Sequence, residues 1–277
     1  MEIVNPALFL FNEPVKIYNK VSITVPKIKD VISSKEYGIY SRIFTMQTRE
    51  IFVLERQVDA LEQKYPTVWE FMWDEQANNS FGKLFDDTGK KTFTDVIFNG
   101  LSYWTGLNVD GKDENGSPTG FVKLGNQKLM HVSAEWIIDK DEFVSFCRLI
   151  RYITAWKPSE NLAPTITSDV KHQRWVKHYK RAMKYQKGRN TTWADKILIM
   201  SSIGDSYIPP SDIKDMTIFH FNYLYNAFIM KQSYNLEFGI FVSPKFMPKT
   251  GTKVSAPQDW KGKFNTGYNK VIDGKDE

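Results

Sequence analysis

Basic residues are concentrated in one stretch of the chain, residues 171–189 (KHQRWVKHYKRAMKYQKGR), which holds eight Lys and Arg residues and no acid. Without these eight, the formal net charge of +5 becomes −3, so the basic character is local. Lys and Arg neutralise phosphate charge, and Trp175, Tyr179 and Tyr185 have rings that stack on bases. The stretch therefore has the composition of a nucleic-acid-binding segment.

Helical spacing favours a different interpretation of the same stretch. In a helix, Trp175, Tyr179 and Ala182 or Met183 share one face at i, i+4 and i+7 or i+8. We expect the rings to anchor the helix while the charged side chains face water. A solvated face or an acidic protein partner is then favoured over nucleic acid, because basic patches are common without a nucleic-acid role. The candidate partner-binding residues of this helix are Lys171, Arg174, Lys177, Lys180, Arg181 and Lys184.

Two other stretches resemble ligand-binding loops only in composition. Residues 82–91 (GKLFDDTGKK) have two extra residues between the glycines of a phosphate-binding loop, and Lys91 stands where Ser or Thr should bind magnesium. Residues 110–116 have calcium-loop composition, but Gly111 falls at the first carboxylate and Val122 at the bidentate glutamate. We discount both motifs and predict a polar hairpin loop for the second.

The His and Cys residues form no pattern typical of catalysis or metal binding. Cys147 falls inside a predicted helix beside Phe143, Phe146 and Ile150, which is typical of a buried inert thiol. No Ser stands in a Gly-x-Ser-x-Gly turn. No two His residues lie four positions apart, which excludes a helical zinc pair: they are His131, His172, His178 and His220. We therefore expect no enzymatic activity, no metal and no cofactor.

The composition is that of an ordinary globular protein rich in aromatic residues, with 42% hydrophobic, 25% charged and 14% aromatic residues over 277 positions. This length allows one large domain or two of ordinary size. The single cysteine precludes an intrachain disulfide and fits a reducing compartment. No signal peptide is recognisable at the N-terminus, and no apolar run approaches the roughly 20 residues of a membrane helix. We expect a cytoplasmic protein without membrane contact.

Hydrophobic periodicity predicts a mixed N-terminal part and a helical C-terminal part. The N-terminal elements expected are short strands within 8–26 with a turn at Asn19-Lys20, a helix from Ile28, and a helix over 48–73 broken near Pro66. They continue with a helix over 93–104 capped by Thr92 or Thr94, a loop over 105–120, a hairpin over 121–132 and a helix opened by Asp139.

The predicted fold class is α+β, mainly α-helical, with a small N-terminal β unit and a hairpin packed with helices. Residues 158–164 are rich in Pro, Ser and Asn, which indicates a boundary between a domain of residues 1–157 and a helical region of residues 158–277. Beyond it we expect the basic helix, a helix over 193–203, and a run from about Asp215 after the break at Pro209-Pro210. The tail after Pro244 is expected to be irregular.

Three stretches follow one another in an order that resembles a known family. The first, LFLFNEPVKIYNKVSITVPKIKDVI, combines a strand pair, a proline and a short helix that leads to Tyr37 and Tyr40. The second, WIIDKDEFVSFCRLIRYI, is an acid-started helix with a central Phe and Arg. The third is the succession of RAMKYQKGR, DKILIMSSIG and DIKDMTIFHFNYLYNAF. Together they resemble the bacteriophage tail assembly chaperones, in the long form of phages of Gram-positive hosts.

This resemblance implies a protein that binds the tape measure protein in the cytoplasm of the infected host cell, keeps it soluble and recruits tail tube protein. Self-association is also implied. The ring-rich C-terminal helices, with Phe219, Tyr223 and Tyr225, would form an apolar groove, and the basic helix its charged rim. The prolines after Phe238 and the loop at 105–120 depart from the family pattern and leave open a changed role in the virion. The alternatives are a structural component of the phage tail, neck or baseplate, and a nucleic-acid-binding protein acting through residues 171–189.

Overall fold

The computed structural model describes residues 5–86, 89–156, 164–166, 168–187, 191–202, 207–242 and 257. The described chain is mainly helical, with two small antiparallel sheets, which confirms the predicted α+β class. The strands are β1 (Val15–Tyr18), β2 (Val21–Ile23), β3 (Phe121–Leu124), β4 (Lys128–His131) and β5 (Trp136–Ile138). The helices are α1 (Ile28–Ser33), α2 (Lys35–Thr45), α3 (Thr48–Ile51), α4 (Val58–Lys64), α5 (Glu75–Gly82), α6 (Phe93–Thr105), α7 (Lys140–Thr154), α8 (Asp169–Lys187), α9 (Trp193–Ser202), α10 (Pro210–Ile213) and α11 (Ile218–Val242).

The apolar residues before the first hairpin form a 3-10 helix, Pro6–Leu10, so the prediction of a strand there is wrong. The side chain of Asn5 accepts a hydrogen bond from the Ala7 amide, and Pro6 occupies the first turn, where its fixed φ suits a helix. The hairpin that follows is confirmed, because β1 and β2 pair antiparallel around the turn at Asn19-Lys20.

The predicted helix over 48–73 breaks twice instead of once. The break near Pro66 is confirmed, since α4 ends at Lys64 and a 3-10 helix at Glu70–Met72 follows. A second break separates α3 from α4, where the ring of Phe52 packs against other aromatic rings, those of Tyr65, Phe71 and Phe81. The turn between α3 and α4 places Val53 and Val58 against α8.

A third strand extends the predicted hairpin. β5 pairs with β4, in a sheet of order β3-β4-β5, and the sequence had indicated only the hairpin of β3 and β4. Trp136 and Ile138 are both fully buried on one side of β5. The predicted helix starts are confirmed: Asp139 caps α7 by accepting from the Glu142 amide, and Thr92 caps α6 in a capping box with Asp95.

One hydrophobic core contains residues from both predicted domains. Ile213, Ile218 and Phe221 lie in the same cluster as the buried residues of α2, α6 and α7. The backbone also joins the two parts, since the Ile28 amide donates to the Met216 carbonyl at 2.9 Å and the Ile218 amide donates to the Pro26 carbonyl at 2.9 Å. Of the predicted boundary, only Pro164 lies within the described residues, and of the tail after Pro244 only Pro257 does.

Candidate protein-binding surface on the basic helix

The basic helix α8 is anchored to the turn between α3 and α4 by its aromatic residues. The rings of Trp175 and Tyr179 lie 5.7 Å apart and pack with Phe52 against the buried side chains of Val53 and Val58. The indole nitrogen of Trp175 donates to the Val53 carbonyl at 3.3 Å. This arrangement confirms the prediction that the rings anchor the helix.

Two polar contacts near the start of α8 reinforce this anchor. The His172 Nε2 atom lies 3.1 Å from the carbonyl oxygen of Leu54. Arg56 forms an ion pair with Asp169 at 2.5 Å, with both side chains at least half exposed. Exposed ion pairs contribute little to stability, so the apolar contact contributes most to holding the helix in place.

The six candidate cations of α8 are all exposed. Four of them follow one another at i, i+3, i+7 and i+10, which places them in a single row on the side of the helix opposite Trp175. We call Arg174, Lys177, Arg181 and Lys184 the cation row; Lys171 and Lys180 flank it. Within the described part of the chain, none of the six forms an ion pair with an acid. The cation row is therefore available to an anionic partner.

The position of the rings bears on which anion fits. A single-stranded nucleic acid is held by a cationic groove together with aromatic rings on which its bases stack. In α8, Trp175 and Tyr179 are half-buried against residues 52–58, while Tyr185 is exposed. Two of the three rings are thus used for anchoring, and only that of Tyr185 is open to stacking on a base.

The three ring residues predicted to form an apolar groove lie at the start of α11, and they differ in exposure. Phe219 is buried in the core, with its ring centroid 5.8 Å from that of Phe9 and 5.4 Å from that of Tyr152. Its assignment to a partner-binding surface is therefore corrected, because its ring fills the core. Tyr223 is exposed, and Tyr225 is half-buried and stacked on Phe221.

One lysine that the sequence did not single out joins α9 to α11. The Nζ atom of Lys196 lies 4.9 Å from the ring centroid of Trp193 and 5.6 Å from that of Tyr225. Burial lowers the pKa of Lys196, because the charged form loses hydration between the two rings. The i, i+3 spacing of Trp193 and Lys196 was visible in the sequence, but the contact with Tyr225 depends on the fold.

A second feature that the sequence analysis missed is the exposed apolar part of α11. From Tyr223 onward, no described residue of this helix is fully buried. The large exposed apolar side chains in this part are Tyr223, Ile229, Leu236, Phe238, Ile240 and Val242. We call residues 223–242 the α11 arm. The shortage of charged residues in this segment was the available signal.

The two loops discounted as ligand-binding motifs, residues 82–91 and 110–116, are held by hydrogen bonds within each loop. The Asp86 carboxylate accepts from the amides of Lys90 and Lys91 at 2.9 and 3.1 Å, so these donors are used internally. Asp113 likewise accepts from the amides of Asn115 and Ser117. A bridge between residues 112 and 118 confirms the predicted polar hairpin loop.

The thiol of Cys147 is buried, as predicted, and burial raises its pKa to about 12. His131 is also fully buried, with both ring nitrogens in hydrogen-bonding contacts to nearby groups. Among the described residues, no three His, Cys, Asp or Glu side chains are grouped so that they could hold a metal ion.

Comparisons of the chain with protein-family models, with curated proteins and with solved structures gave no match. Across the part of the chain that the structure describes, no helix combines the length and the apolar character needed to cross a membrane.

Proposed function

We propose that this protein is a bacteriophage tail assembly chaperone that binds the tape measure protein, keeps it soluble and promotes tail tube assembly. The phage assignment rests on the three stretches that resemble this family. The structural observation that carries the binding role is the exposed cation row of α8, held outward by Trp175 and Tyr179. The proposed location is the cytoplasm of the infected host cell.

The cation row and the α11 arm are surfaces of the kind that such a chaperone needs. A long helical tape measure chain exposes apolar stripes before the tube surrounds it, and exposed apolar patches of this kind aggregate. Amphipathic helices are captured by apolar contact together with charged groups that set register. The cation row supplies the charged contact for an acidic segment, and Tyr223 with the α11 arm supplies apolar surface.

Co-expression with the tape measure protein of the same phage tests the proposal. We expect the chain to raise the soluble fraction of that protein and to elute with it as a complex. Replacing all four residues of the cation row by Gln should weaken the complex at least about tenfold, the effect of losing about 1.4 kcal/mol of binding free energy. An unchanged soluble fraction with no complex would rule the chaperone role out.

A matched control removes the same charge elsewhere. Lys35, Lys83, Lys112 and Lys128 are exposed lysines outside α8, and replacing these four by Gln also lowers the net charge by four. We expect this control variant to bind like the original chain. Equal weakening by both sets would mean that net charge, and not the cation row, attracts the partner.

Two further measurements separate the alternatives. Mass spectrometry of purified phage particles should not detect a chaperone, whereas a component of the tail, neck or baseplate would be present in fixed copy number. Titration with single-stranded and duplex DNA at about 50 and 200 mM salt tests the nucleic-acid hypothesis. Binding that falls steeply with salt and is lost with the cation row would support that hypothesis over ours.

A further inference from the structure

The sequence contains two Asn-Gly pairs, and the structure places them in different surroundings. Asn99 and Gly100 lie in the middle of α6, whereas Asn115 and Gly116 lie in the exposed loop between α6 and β3. An Asn-Gly pair can close into a ring without an enzyme, because glycine has no Cβ atom to shield its backbone nitrogen from the asparagine side chain. The surroundings of each pair decide whether this reaction takes place.

The loop pair has both the space and the freedom that the reaction needs. Asn115 and Gly116 are exposed, and a Cβ atom at Gly116 would have nothing within 4 Å, so a ring and an attacking water molecule fit there. Within the described residues, no hydrogen bond engages the side-chain amide of Asn115. This amide is therefore free to rotate toward the Gly116 nitrogen.

Three hydrogen bonds to Asp113 hold the turn that contains this pair. The Oδ1 atom of Asp113 accepts from the amides of Asn115 and Ser117 at 2.9 and 2.8 Å. The Asp113 carbonyl accepts from the Gly116 amide at 3.0 Å, so the attacking nitrogen is engaged until the turn opens. Exposed turns open locally at a lower free-energy cost than a helix interior, so this bond slows the reaction without preventing it.

The pair in α6 is protected from the same reaction. Gly100 is buried, and a Cβ atom there would lie 2.5 Å from Cδ1 of Ile43, so α2 packs directly against this part of α6. The Gly100 amide lies within the hydrogen-bond ladder of the helix, and the side-chain nitrogen of Asn99 donates to the Asp95 carbonyl at 2.6 Å. Ring closure at Asn99 therefore needs part of α6 to unfold, with loss of core packing.

We propose that Asn115 is a site of spontaneous deamidation. The backbone nitrogen of Gly116 loses its proton and attacks the side-chain carbonyl carbon of Asn115, and the side-chain nitrogen leaves as ammonia. A five-membered succinimide ring remains. Water then opens this ring at either of its carbonyl groups, which gives aspartate or β-linked isoaspartate at position 115. The reaction consumes one water molecule and involves no oxidant or reductant.

The product changes both the charge and the backbone of the loop. Either product adds one negative charge to a loop that already carries Asp110, Asp113 and Glu114. Isoaspartate also inserts a methylene group into the main chain, which displaces the Gly116 nitrogen from the Asp113 carbonyl. We therefore expect the turn to loosen. This inference does not depend on the chaperone role, because the reaction is a property of the isolated chain.

Peptide mass spectrometry of the full-length protein, incubated for days at physiological temperature and pH, tests the proposal. We expect the amide at Asn115 to become a carboxyl group at least about ten times faster than that at Asn99. Isoaspartyl O-methyltransferase with labelled S-adenosylmethionine should label the product, because this enzyme methylates isoaspartate and not ordinary aspartate. Asn115→Gln should abolish this labelling. Equal rates at the two positions, or no reaction at Asn115, overturn the proposal.

Unfolding the chain in guanidinium chloride separates the effect of the fold from that of the local sequence. The unfolded chain has neither the turn nor α6, so the two Asn-Gly pairs should react at similar rates. A difference that persists there would overturn the protective role of α6. Gly116→Ala should slow the reaction at Asn115 in the unfolded chain as well, because the added methyl group shields the nitrogen whatever the fold. An unchanged rate would contradict attack by this nitrogen.

Discussion

The indole nitrogen of Trp175 donates a hydrogen bond to the backbone carbonyl of Val53 at 3.3 Å, across 122 residues of sequence. Trp175 thereby ties the basic helix α8 to the turn between α3 and α4. At the start of this turn, Phe52 packs against the aromatic rings of Phe71 and Phe81. The outward direction of the cation row is thus a consequence of aromatic packing beneath it.

Replacing Trp175 by Ala should detach α8 from this turn. Because the ring is half-buried, we expect a loss of about 1–3 kcal/mol in unfolding free energy, less than for a fully buried tryptophan. Hydrogen exchange should become faster in residues 52–58 and in α8. Tyr185→Ala is the control on the same helix, where the exposed ring should contribute less than about 0.5 kcal/mol. Equal effects of the two variants would contradict the anchor.

Two helix glycines should respond in opposite directions to Ala. A Cβ atom at Gly100 would lie 2.5 Å from Cδ1 of Ile43 and 2.9 Å from the ring of Phe44, so α6 packs against α2 through this glycine. We expect Gly100→Ala to lower the unfolding free energy by about 1–3 kcal/mol through overpacking. Gly38 in α2 has nothing within 4 Å of that position, and Gly38→Ala should raise stability by up to about 1 kcal/mol. Urea denaturation measures both.

Acid should destabilise the protein partly through His131. Its Nδ1 atom accepts the Ala134 amide at 3.2 Å, and its Nε2 atom donates to Asn108 at 3.1 Å, so the fold holds the neutral ring. Burial lowers the pKa of His131 below its usual 6.5, although the Asn108 contact opposes this shift. Near pH 6.5 the unfolded chain therefore binds more protons than the folded chain. The stabilisation that the neutral ring provides is complete above about pH 7, and it decreases as the pH falls through 6.5.

Unfolding free energies of the original chain and of His131→Gln between about pH 7.5 and 5 measure this effect. Burial also lowers the pKa of His220, which therefore contributes in the same direction in both proteins. We expect a smaller decrease with acid in His131→Gln. The same slope in both proteins would show that His131 does not contribute.

Asp74 should be a stabilising helix cap with two additional contacts. Its Oδ1 atom accepts the Ala77 amide at the start of α5, and its Oδ2 atom accepts from Lys64 at 2.8 Å and from the Tyr65 hydroxyl at 2.9 Å. Lys64 and these hydrogen bonds hold the pKa of Asp74 far below its usual value. Its contribution is therefore present above about pH 4 and lost as pH falls further. This window lies below that of His131.

We expect Asp74→Ala to lower the unfolding free energy by about 1–2 kcal/mol at pH 7, as for other lost caps. Asp74→Asn should cost less, because the asparagine carbonyl oxygen still caps the helix while the charge and the contacts from Lys64 and Tyr65 to Oδ2 are lost. Thermal or urea denaturation of both variants measures the difference. An Asp74→Asn variant as unstable as Asp74→Ala would show that the charged contacts of Oδ2, and not the cap, are the larger contribution.

Much of the local structure could be predicted from the sequence, because it depends on residues a few positions apart. The capping residues Thr92 and Asp139, the first hairpin and the apolar face of α8 are local features, and all are confirmed. The same is true of the exposure of the cation row, which follows from the helical position of Trp175. The α+β class followed from the succession of these elements.

The tertiary structure decided which segments are covered by distant ones. Thr217 donates its hydroxyl to the Phe9 carbonyl at 2.8 Å across 208 residues, and such contacts hold the 3-10 helix where a strand was expected. Phe219 is in the core because Phe9 and Tyr152 surround it, while Leu236 on the same helix remains exposed. Both residues are apolar members of one helix, so sequence pattern alone does not distinguish them. Burial depends on what packs against a residue, and only the fold determines that.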